Sequence, residues 1–479
     1  MERVLPSNVD YTKILPLAVE SRSRRRTFFP TNGQVFNSAG NNIIRIDISA
    51  SAFLDPKHSY LRFEYRNATA QTCGFDFGGG HGFIRRLRIE QAGNVLSDCN
   101  HYNRLMSSVI LPCQGGADSL GHRSITEGQR FGNQRTAGTS TLPTLAAEMS
   151  GATNNTPTNT DALCANVAGN GAYTFAIPLM NGLLGTTQDK MVPLQLLGSS
   201  PITIEIELAD GLDIGVYGAF TAAATYNLQN VRYIAQLVEV GPEVEQQLRM
   251  VQQVSGGKLV LNGTDYTHFA GNIPIGAGGN QIVNVPARRK SLKSLFFVGA
   301  SQTYAGAGVG SHSESFNLSY GGNLALIDYQ IKIGSVIYPP TPVDCQFQGA
   351  AGNSAFTRAE AFTELAKAWG TVGSAHGTGV LSTLNYALSQ GNVANIPQDA
   401  GAGNAIASYQ FCPLALDLES FQRTALESGL NTSDRSLPIS LMLNVGAGAV
   451  AAEAINLDCF VSFDSLYFID EVGNIRVSI

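Results

Sequence analysis

Histidine and cysteine are the side chains that most often bind metal ions or carry acid–base chemistry, and this sequence has seven of each. No two histidines have the HExxH spacing, and no two cysteines form a CxxC pair. The densest grouping is Cys99 and His101, with His81 and Cys113 nearby in the sequence. Metal sites normally offer closely spaced pairs of ligands, so this loose grouping favours core packing. We predict no metal site and no cofactor.

Motifs for phosphate binding and nucleophilic catalysis are also missing from the sequence. There is no GxxxxGK[ST] and no GxSxG, and the glycine clusters at 78–82, 306–310 and 446–448 lack the GxGxxG spacing. Glu205 and Glu207 alternate onto one face of a predicted strand, where we expect them to be solvated or to lie in an interface. We therefore predict no catalytic residue and conclude that the protein is not an enzyme.

One concentrated charge stands out. Four arginines lie within five residues, at Arg22, Arg24, Arg25 and Arg26, in a chain whose net charge is −6. Such a run could contact nucleic acid or anionic lipid, and a solvated basic arm is an equally good interpretation. No hydrophobic period runs through the first thirty residues, so we predict an N-terminal arm there.

Arg86 and Arg88 alternate onto one face of another predicted strand. The simplest use that the sequence offers for them is a salt bridge between subunits.

The composition is typical of a β-protein with long, weakly charged loops. Hydrophobic residues make up 44% of the 479 residues, charged residues only 14%, and glycine is abundant with 51 residues. Such low charge indicates that much of the surface meets other protein. The start of the chain lacks the apolar core of a signal peptide, and no stretch is apolar enough to span a membrane. We expect a soluble chain with reduced thiols that is not secreted by the usual route.

Alternating apolar and polar residues predict many short strands. The clearest lie at 42–48, 60–66 and 83–89. Others are predicted at 95–96, 173–179, 202–208, 228–240, 281–285, 292–298, 329–338, 409–416, 438–445 and 459–469. Helix-forming residues after Pro242 predict a short helix that ends near Gly256, and an apolar face predicts a second helix at 358–369.

The two halves of the sequence repeat one another. Pro178 and Pro413 stand in similar segments, as do Pro201 and Pro438, and Asn227-Leu228 is echoed by Asn456-Leu457. Matches in the same order indicate duplication of a β-domain, and about eight strands in each half favour jelly rolls. The predicted fold is all-β: two tandem eight-stranded jelly rolls with a short linker helix and long loops. We predict an arm at 1–30, a first jelly roll at 31–240, the linker at 241–257 and a second jelly roll at 258–479. A pair of lectin-like sandwiches is the alternative.

The segment AFLDPKHSYLRFEY at 52–65 and the closing segment from FDSLYFID at 463–470 to residue 479 carry a family resemblance. With the paired domains, they make the chain resemble the double jelly-roll major capsid proteins of nucleocytoplasmic large DNA viruses, virophages and polinton-like viruses. The resemblance implies a homotrimer that forms pseudo-hexagonal capsomers of an icosahedral shell. It also implies contacts with penton and minor capsid proteins, and with an internal membrane or the genome through the arm.

These implications place the chain in the virion of a DNA virus, after assembly inside the host cell, in the cytoplasm. The alternative function is that of a two-domain lectin-like or viral attachment (receptor-binding) protein. A measurement of mass separates the two, because a capsid protein should be trimeric or form larger shells.

Overall fold

The structure is a computed structural model. It describes residues 21–68, 73–75, 77–113, 125–128, 171–186, 190–198, 200–217, 225–274, 278–301, 318, 326–345, 359–370, 381, 386, 412–419, 429–446 and 454–478. Most of the long loops predicted from the sequence lie outside these residues. The described residues are mainly antiparallel strands, as the alternating sequence predicts.

The first half of the chain builds two main sheets, with strand orders β1-β12-β4-β8 and β3-β10-β6-β7, and short strands at their margins. The strands are β1 (Ser21–Phe28), β2 (Val35–Phe36), β3 (Ile43–Ile48), β4 (Phe53–Asn67), β5 (Cys73–Phe75), β6 (Ile84–Gln91), β7 (Asn94–Asn100), β8 (Ala172–Ile177), β9 (Val192–Pro193), β10 (Ile202–Leu208), β11 (Gly215–Tyr217) and β12 (Tyr226–Val240).

The second half builds two sheets of its own, with strand orders β13-β20-β15-β18 and β14-β19-β16-β17. Its strands are β13 (Lys258–Ile273), β14 (Gly279–Asn284), β15 (Leu292–Ser301), β16 (Leu326–Ile333), β17 (Val336–Asp344), β18 (Leu414–Asp417), β19 (Ile439–Val445), β20 (Ile455–Asp470) and β21 (Ile475–Ser478). The last of these, β21, pairs with β20 at the end of the described chain.

The two halves have the same topology. Among the described residues, each half has two sheets in which four strands lie side by side. The strands of one half occupy the same positions in these sheets as the corresponding strands of the other half. The equivalent strands β10 and β19 each have seven residues, an identical alternation of burial, and a proline immediately before them, Pro201 and Pro438. The predicted fold of two tandem eight-stranded jelly rolls is therefore confirmed.

One pair of residues that the sequence repeat aligned does not occupy equivalent positions in the two jelly rolls. Pro178 follows the end of β8, whereas Pro413 precedes the equivalent strand β18, so these two prolines mark opposite ends of equivalent strands. The sequence match there reflects the local preference of proline for strand ends rather than a shared position.

The last part of the predicted arm forms a strand. Strand β1 pairs with β12 in an unbroken antiparallel register from Ser21↔Val240 to Phe28↔Tyr233. It occupies the place in its sheet that β13 occupies in the second half. Backbone pairing with a complete neighbouring strand outweighs the weak strand pattern of an arginine-rich sequence. Residues 1–20 lie outside the described residues.

Helices lie between some of the strands, and among the shortest are single turns at Gly79–Phe83, Leu194–Leu196 and Gly211–Ile214. Helix α1 (Tyr102–Leu105) follows β7 and continues as further helical turns to Cys113. Helix α2 (Pro242–Val254) joins β12 to β13 and begins with Pro242 at a position where proline is favoured. Helix α3 (Ala359–Trp369) packs Trp369 on Phe296, with ring centroids 4.7 Å apart. The predicted linker helix and the second predicted helix are both present.

Two clusters of buried apolar side chains form the core. The smaller contains second-half residues only, between Ile273 and Phe463. The larger fills the first jelly roll with aromatic rings such as Phe63 and Phe83 and also takes in Phe460 and Tyr467 from β20. Since one continuous apolar cluster spans both halves, the two jelly rolls pack against each other as well as being linked by α2.

Candidate functional site

The predicted arginine run forms an exposed edge strand. Arg22, Arg24, Arg25 and Arg26 all lie in β1, which is terminal in its sheet among the described strands. Arg24 pairs with Glu239 on the neighbouring strand, with Nη2 and Oε1 2.6 Å apart. The other three have no carboxylate partner among the described ion pairs.

Each of two further arginines of β1 lies near an aromatic ring. The guanidinium of Arg25 is 5.7 Å from the ring centroid of Tyr60, and that of Arg26 is 5.0 Å from that of Phe28. The structure therefore presents concentrated positive charge along an open sheet edge. Charged residues at such an edge also discourage pairing with a strand of another molecule.

A second charged surface covers the outer face of the β3-β10-β6-β7 sheet. Arg45 makes two hydrogen bonds to Oε2 of Glu205, at 2.9 and 2.6 Å, and Arg88 lies 3.8 Å from the other oxygen of Glu205. Arg86 pairs with Asp98 on the next strand. The pKa of Arg86 is raised, chiefly by this hydrogen bond.

These contacts give Arg86 and Arg88 ion-pair partners within their own chain, and a salt bridge between subunits stays a prediction. Both arginines form their ion pairs within their own sheet, because register places Asp98 and Glu205 directly opposite Arg88 on the flanking strands. Glu205 and Glu207 do share a face, as predicted, and Glu207 lies 3.9 Å from Arg85. A network of charges of both signs on one sheet face stabilises the sheet modestly.

The junction between the jelly rolls is built from buried polar contacts. Gln91, at the end of β6, donates from Nε2 to the carbonyl of Gly473 and accepts from the backbone N–H of Ile475, both at 3.0 Å. Asp265 of β13 is fully buried, and burial raises its pKa to about 6 despite hydrogen bonds from Ser97 and two backbone N–H groups. These contacts tie β6 and β7 of the first half to strands of the second.

The residues that the sequence grouped around His101 do not form one cluster. His81 is buried next to Glu127, with Nε2 and Oε2 3.5 Å apart. The Cys99 thiol is buried, and desolvation raises its pKa well above the usual value. Burial likewise raises the pKa of Cys113, to about 12. The buried Cys99 thiol is therefore unreactive, which agrees with the predicted core packing, while Cys113 is half-buried.

His101 itself meets residues of the second half that sequence reasoning did not connect with it. Its ring stacks on His268, with centroids 4.3 Å apart and planes inclined by 10°. Asp458 lies beside both, with its Oδ1 2.8 Å from Nε2 of His268 and 3.7 Å from Nδ1 of His101. No local spacing could have revealed this group, because its members lie more than 160 residues apart.

The titration of this group follows from its surroundings. Desolvation lowers the pKa of His101 below the usual value. The charge of Asp458 opposes this shift, and the charges of His268, Arg85 and Arg104 add to it. Burial acts to raise the pKa of Asp458, but the hydrogen bond from His268 and the charge of Arg104 outweigh it, so the pKa is lowered. A neutral imidazole beside a carboxylate is therefore the favoured state at neutral pH.

Known structures resemble this chain over nearly its whole length. VP54 of PBCV-1, fitted into the virophage Sputnik, has a TM-score of 0.55 at 10% identity, with 98% of this chain and 99% of that chain covered. The Faustovirus major capsid protein has a TM-score of 0.54 at 9% identity, with 97% and 92% covered. The chain has a double jelly-roll fold.

Further comparisons bear on this double jelly-roll protein. A chain of the PBCV-1 virus capsid also matches it, with a TM-score of 0.54 at 9% identity and 98% and 99% of the two chains covered. No protein-family model matches the sequence, and no curated protein matches it significantly. The likeness thus lies in the fold, since coverage is nearly complete while identity is near one residue in ten. No helix in the described part of the double jelly roll is long and apolar enough to cross a membrane.

Proposed function

We propose that this protein is the major capsid protein of an icosahedral DNA virus and acts as a homotrimer. The observation that carries the proposal is the pair of equivalent eight-stranded jelly rolls, which matches capsid chains over nearly the whole length of this chain. Three such chains supply six jelly rolls, which gives a pseudo-hexagonal capsomer that tiles a shell. Its function is structural, with no catalytic role, and its location is the virion, after assembly in the cytoplasm.

The fixed junction between the jelly rolls supports this function. A capsomer must keep the two barrels of each chain in one relative position so that all its edges fit its neighbours. The shared apolar cluster and the reciprocal hydrogen bonds of Gln91 oppose movement at the junction. We propose a division into a first jelly roll at 21–240, a linker at 241–257 and a second jelly roll at 258–479.

Mass measurement tests the proposal directly. Mass photometry of the purified full chain should show particles of three 50.8 kDa chains or larger shells, and electron microscopy should show pseudo-hexagonal capsomers. A stable monomer that binds glycans on an array would overturn the proposal and favour a two-domain lectin-like or viral attachment protein.

We also propose that the arginine strand β1 contacts anions on the inner side of the shell. Arg22, Arg25 and Arg26 are exposed and lack a carboxylate partner among the described ion pairs, whereas Arg24 is held by Glu239. Phosphate groups of a genome or of lipid headgroups would supply the missing anions. Penton and minor capsid proteins are the further partners expected of a capsomer.

Two titrations distinguish the sources of anion. Trimers should bind either duplex DNA or vesicles containing phosphatidylserine in a salt-sensitive way, and serine substitutions at Arg22, Arg25 and Arg26 should weaken that binding. Arginine-dependent binding to DNA alone identifies the genome, and arginine-dependent binding to vesicles alone identifies a membrane. Binding that is equal in the substituted protein contradicts the proposal.

A further inference from the structure

The group formed by His101, His268 and Asp458 has the composition of a transition-metal site. Each residue offers one ligand atom, and the three atoms all lie within 4.8 Å of one another. Two imidazole nitrogens and one carboxylate oxygen are the donor set of many three-residue zinc sites, which leave a fourth position for water. His101 comes from the first jelly roll, while His268 and Asp458 lie on the paired strands β13 and β20 of the second.

The spacing of the ligand atoms suits a tetrahedral ion. Bonds of zinc to nitrogen and oxygen place neighbouring ligand atoms about 3.3 Å apart. The measured distances from Oδ1 of Asp458, 2.8 Å to His268 and 3.7 Å to His101, lie on either side of this value. The two rings stack with their planes inclined by only 10°, so the partly exposed His101 ring must turn about its side-chain bonds before its Nδ1 and His268 can face one ion.

The surroundings hold the ligands in place. Arg104 donates from its two terminal nitrogens to the carbonyls of Leu318 and Gly299, at 2.8 and 3.1 Å. Its Nε lies 3.5 Å from Oδ2 of Asp458, so the guanidinium faces one carboxylate oxygen and leaves Oδ1 to the imidazoles. The ring of Phe460 packs 5.1 Å from that of His268 and limits its rotation. Supporting contacts of this kind orient ligands in protein metal sites.

A hydrogen-bond network alone accounts for only part of this arrangement. His268 is within hydrogen-bond distance of Asp458, but Nδ1 of His101 is 3.7 Å away, which is too far for such a bond. The His101 side chain is 44% exposed, so an ion and its water ligand can reach the group from solvent.

We propose that His101, His268 and Asp458 bind one divalent transition-metal ion, with zinc preferred, and that this ion fastens the first jelly roll to the second. The ion lies within one chain, so the site forms whether or not the chain assembles into trimers. Because the unfolded chain holds the three ligands far apart, binding stabilises the folded junction.

Zinc titration of the full-length protein tests the proposal. The protein is treated with a chelator, dialysed, and titrated with zinc sulfate in a calorimeter, and its unfolding temperature is measured with and without zinc. The expected result is one ion for each chain and a higher unfolding temperature. Cobalt should replace zinc and give the intense visible absorption of a tetrahedral site.

Matched variants assign the site. His101→Asn should weaken zinc binding at least tenfold and remove the zinc-dependent rise in unfolding temperature. Asparagine tolerates the left-handed backbone at this position, where φ is 51°, so the metal-free variant should fold normally. His58→Asn is the control, because His58 is exposed and bonded only to nearby Asp55 among the described residues, and zinc binding should not change. Asp458→Asn should weaken binding as well.

Two outcomes overturn the proposal: zinc binding that is not stoichiometric, or equal binding by wild type and His101→Asn. Neither outcome affects the proposed capsid function, since mass photometry on the metal-free protein reports assembly separately.

Discussion

The side-chain amide of Gln91 donates a hydrogen bond of 3.0 Å to the backbone carbonyl of Gly473, which lies 382 residues further along the chain. The same side chain accepts a bond from the N–H of Ile475. Gln91 is only 1% exposed, so water cannot replace either bond. One buried side chain thus holds the β6-β7 hairpin of the first jelly roll against the closing hairpin of the second.

Gln91→Ala should destabilise the folded chain by about 1–3 kcal/mol, because it leaves a buried carbonyl and a buried N–H without their partner. Urea unfolding followed by intrinsic fluorescence measures the change. Gln247→Ala, on the exposed face of helix α2, is the control and should shift the free energy of unfolding by less than about 0.5 kcal/mol. Equal stability of the two variants would show that the bonds of Gln91 contribute nothing to the junction.

A second prediction follows from the close backbone contact between the two jelly rolls at Gly263. A Cβ atom added to Gly263 would lie 2.1 Å from the carbonyl oxygen of Gly182, so strand β13 and the first-half loop would have to separate. Gly263→Ala should therefore cost about 1–3 kcal/mol in thermal or urea unfolding. At Gly40, the nearest atom is a movable Asn37 side chain, and Gly40→Ala should have little effect. A neutral Gly263→Ala would mean that the two segments separate freely.

The buried carboxyl of Asp265 should make stability depend on pH. Burial raises its pKa to about 6 in the folded chain, above the usual value of 3.8. Between these values the folded state binds more protons than the unfolded state, so stability falls as pH rises from about 4 to about 6 and then levels off. Asp265→Asn should flatten this slope in urea unfolding measured at several pH values. An unchanged slope would contradict a raised pKa for the buried carboxyl of Asp265.

Asp434 provides a contrast of opposite sign. Hydrogen bonds from the backbone and hydroxyl of Ser436 lower its pKa in the folded chain. Asp434 therefore stabilises the folded chain at pH values above its usual pKa, and this stabilisation is lost as pH falls. Asp434→Asn should not flatten the fall in stability with rising pH that we attribute to Asp265. The pair of variants separates a specific effect of Asp265 from a general effect of removing one carboxylate.

The sequence predicted most of the strands but missed the first strand of both jelly rolls. Strand β10 was predicted with its observed bounds, because one face is buried and the other is not, and this produces clean alternation. Strand β1 has an arginine-rich sequence whose first six residues are exposed, and β13 interrupts its alternation with Gly263 and Gly271. Both strands form because they pair along a complete neighbouring strand, and the pattern of a single sequence does not reveal such pairing.

The charged and ligand-bearing groups were predicted less well, because their partners are distant in sequence. The alternation of Arg86 and Arg88 indicated a shared face, but only the strand register could show that Asp98 and Glu205 lie opposite Arg88. The sequence placed His101 beside Cys99 and gave no sign of its neighbours in the second jelly roll. Its neighbours His268 and Asp458 come together only when the second jelly roll packs on the first.

The last prediction concerns the N-terminal segment. Deletion of residues 1–26 removes six of the eight residues of β1 and leaves the edge of β12 unpaired, so the first jelly roll should lose stability and tend to aggregate. Deletion of residues 1–20 keeps β1 intact, so the shorter truncation should unfold at a higher temperature than the longer one. Urea unfolding and mass photometry compare the two truncations.

Serine substitutions separate the charge of β1 from its pairing. Since the backbone bonds to β12 remain, replacing Arg22, Arg25 and Arg26 with serine should preserve the trimer while lowering the salt sensitivity of shell assembly. Arg24→Ser additionally removes the ion pair with Glu239, a half-exposed contact whose loss should cost less than about 1 kcal/mol. If the longer truncation proves as stable as the shorter one, β1 is dispensable for the first jelly roll. If the triple variant assembles with unchanged salt dependence, the arginines have no role in holding the shell together.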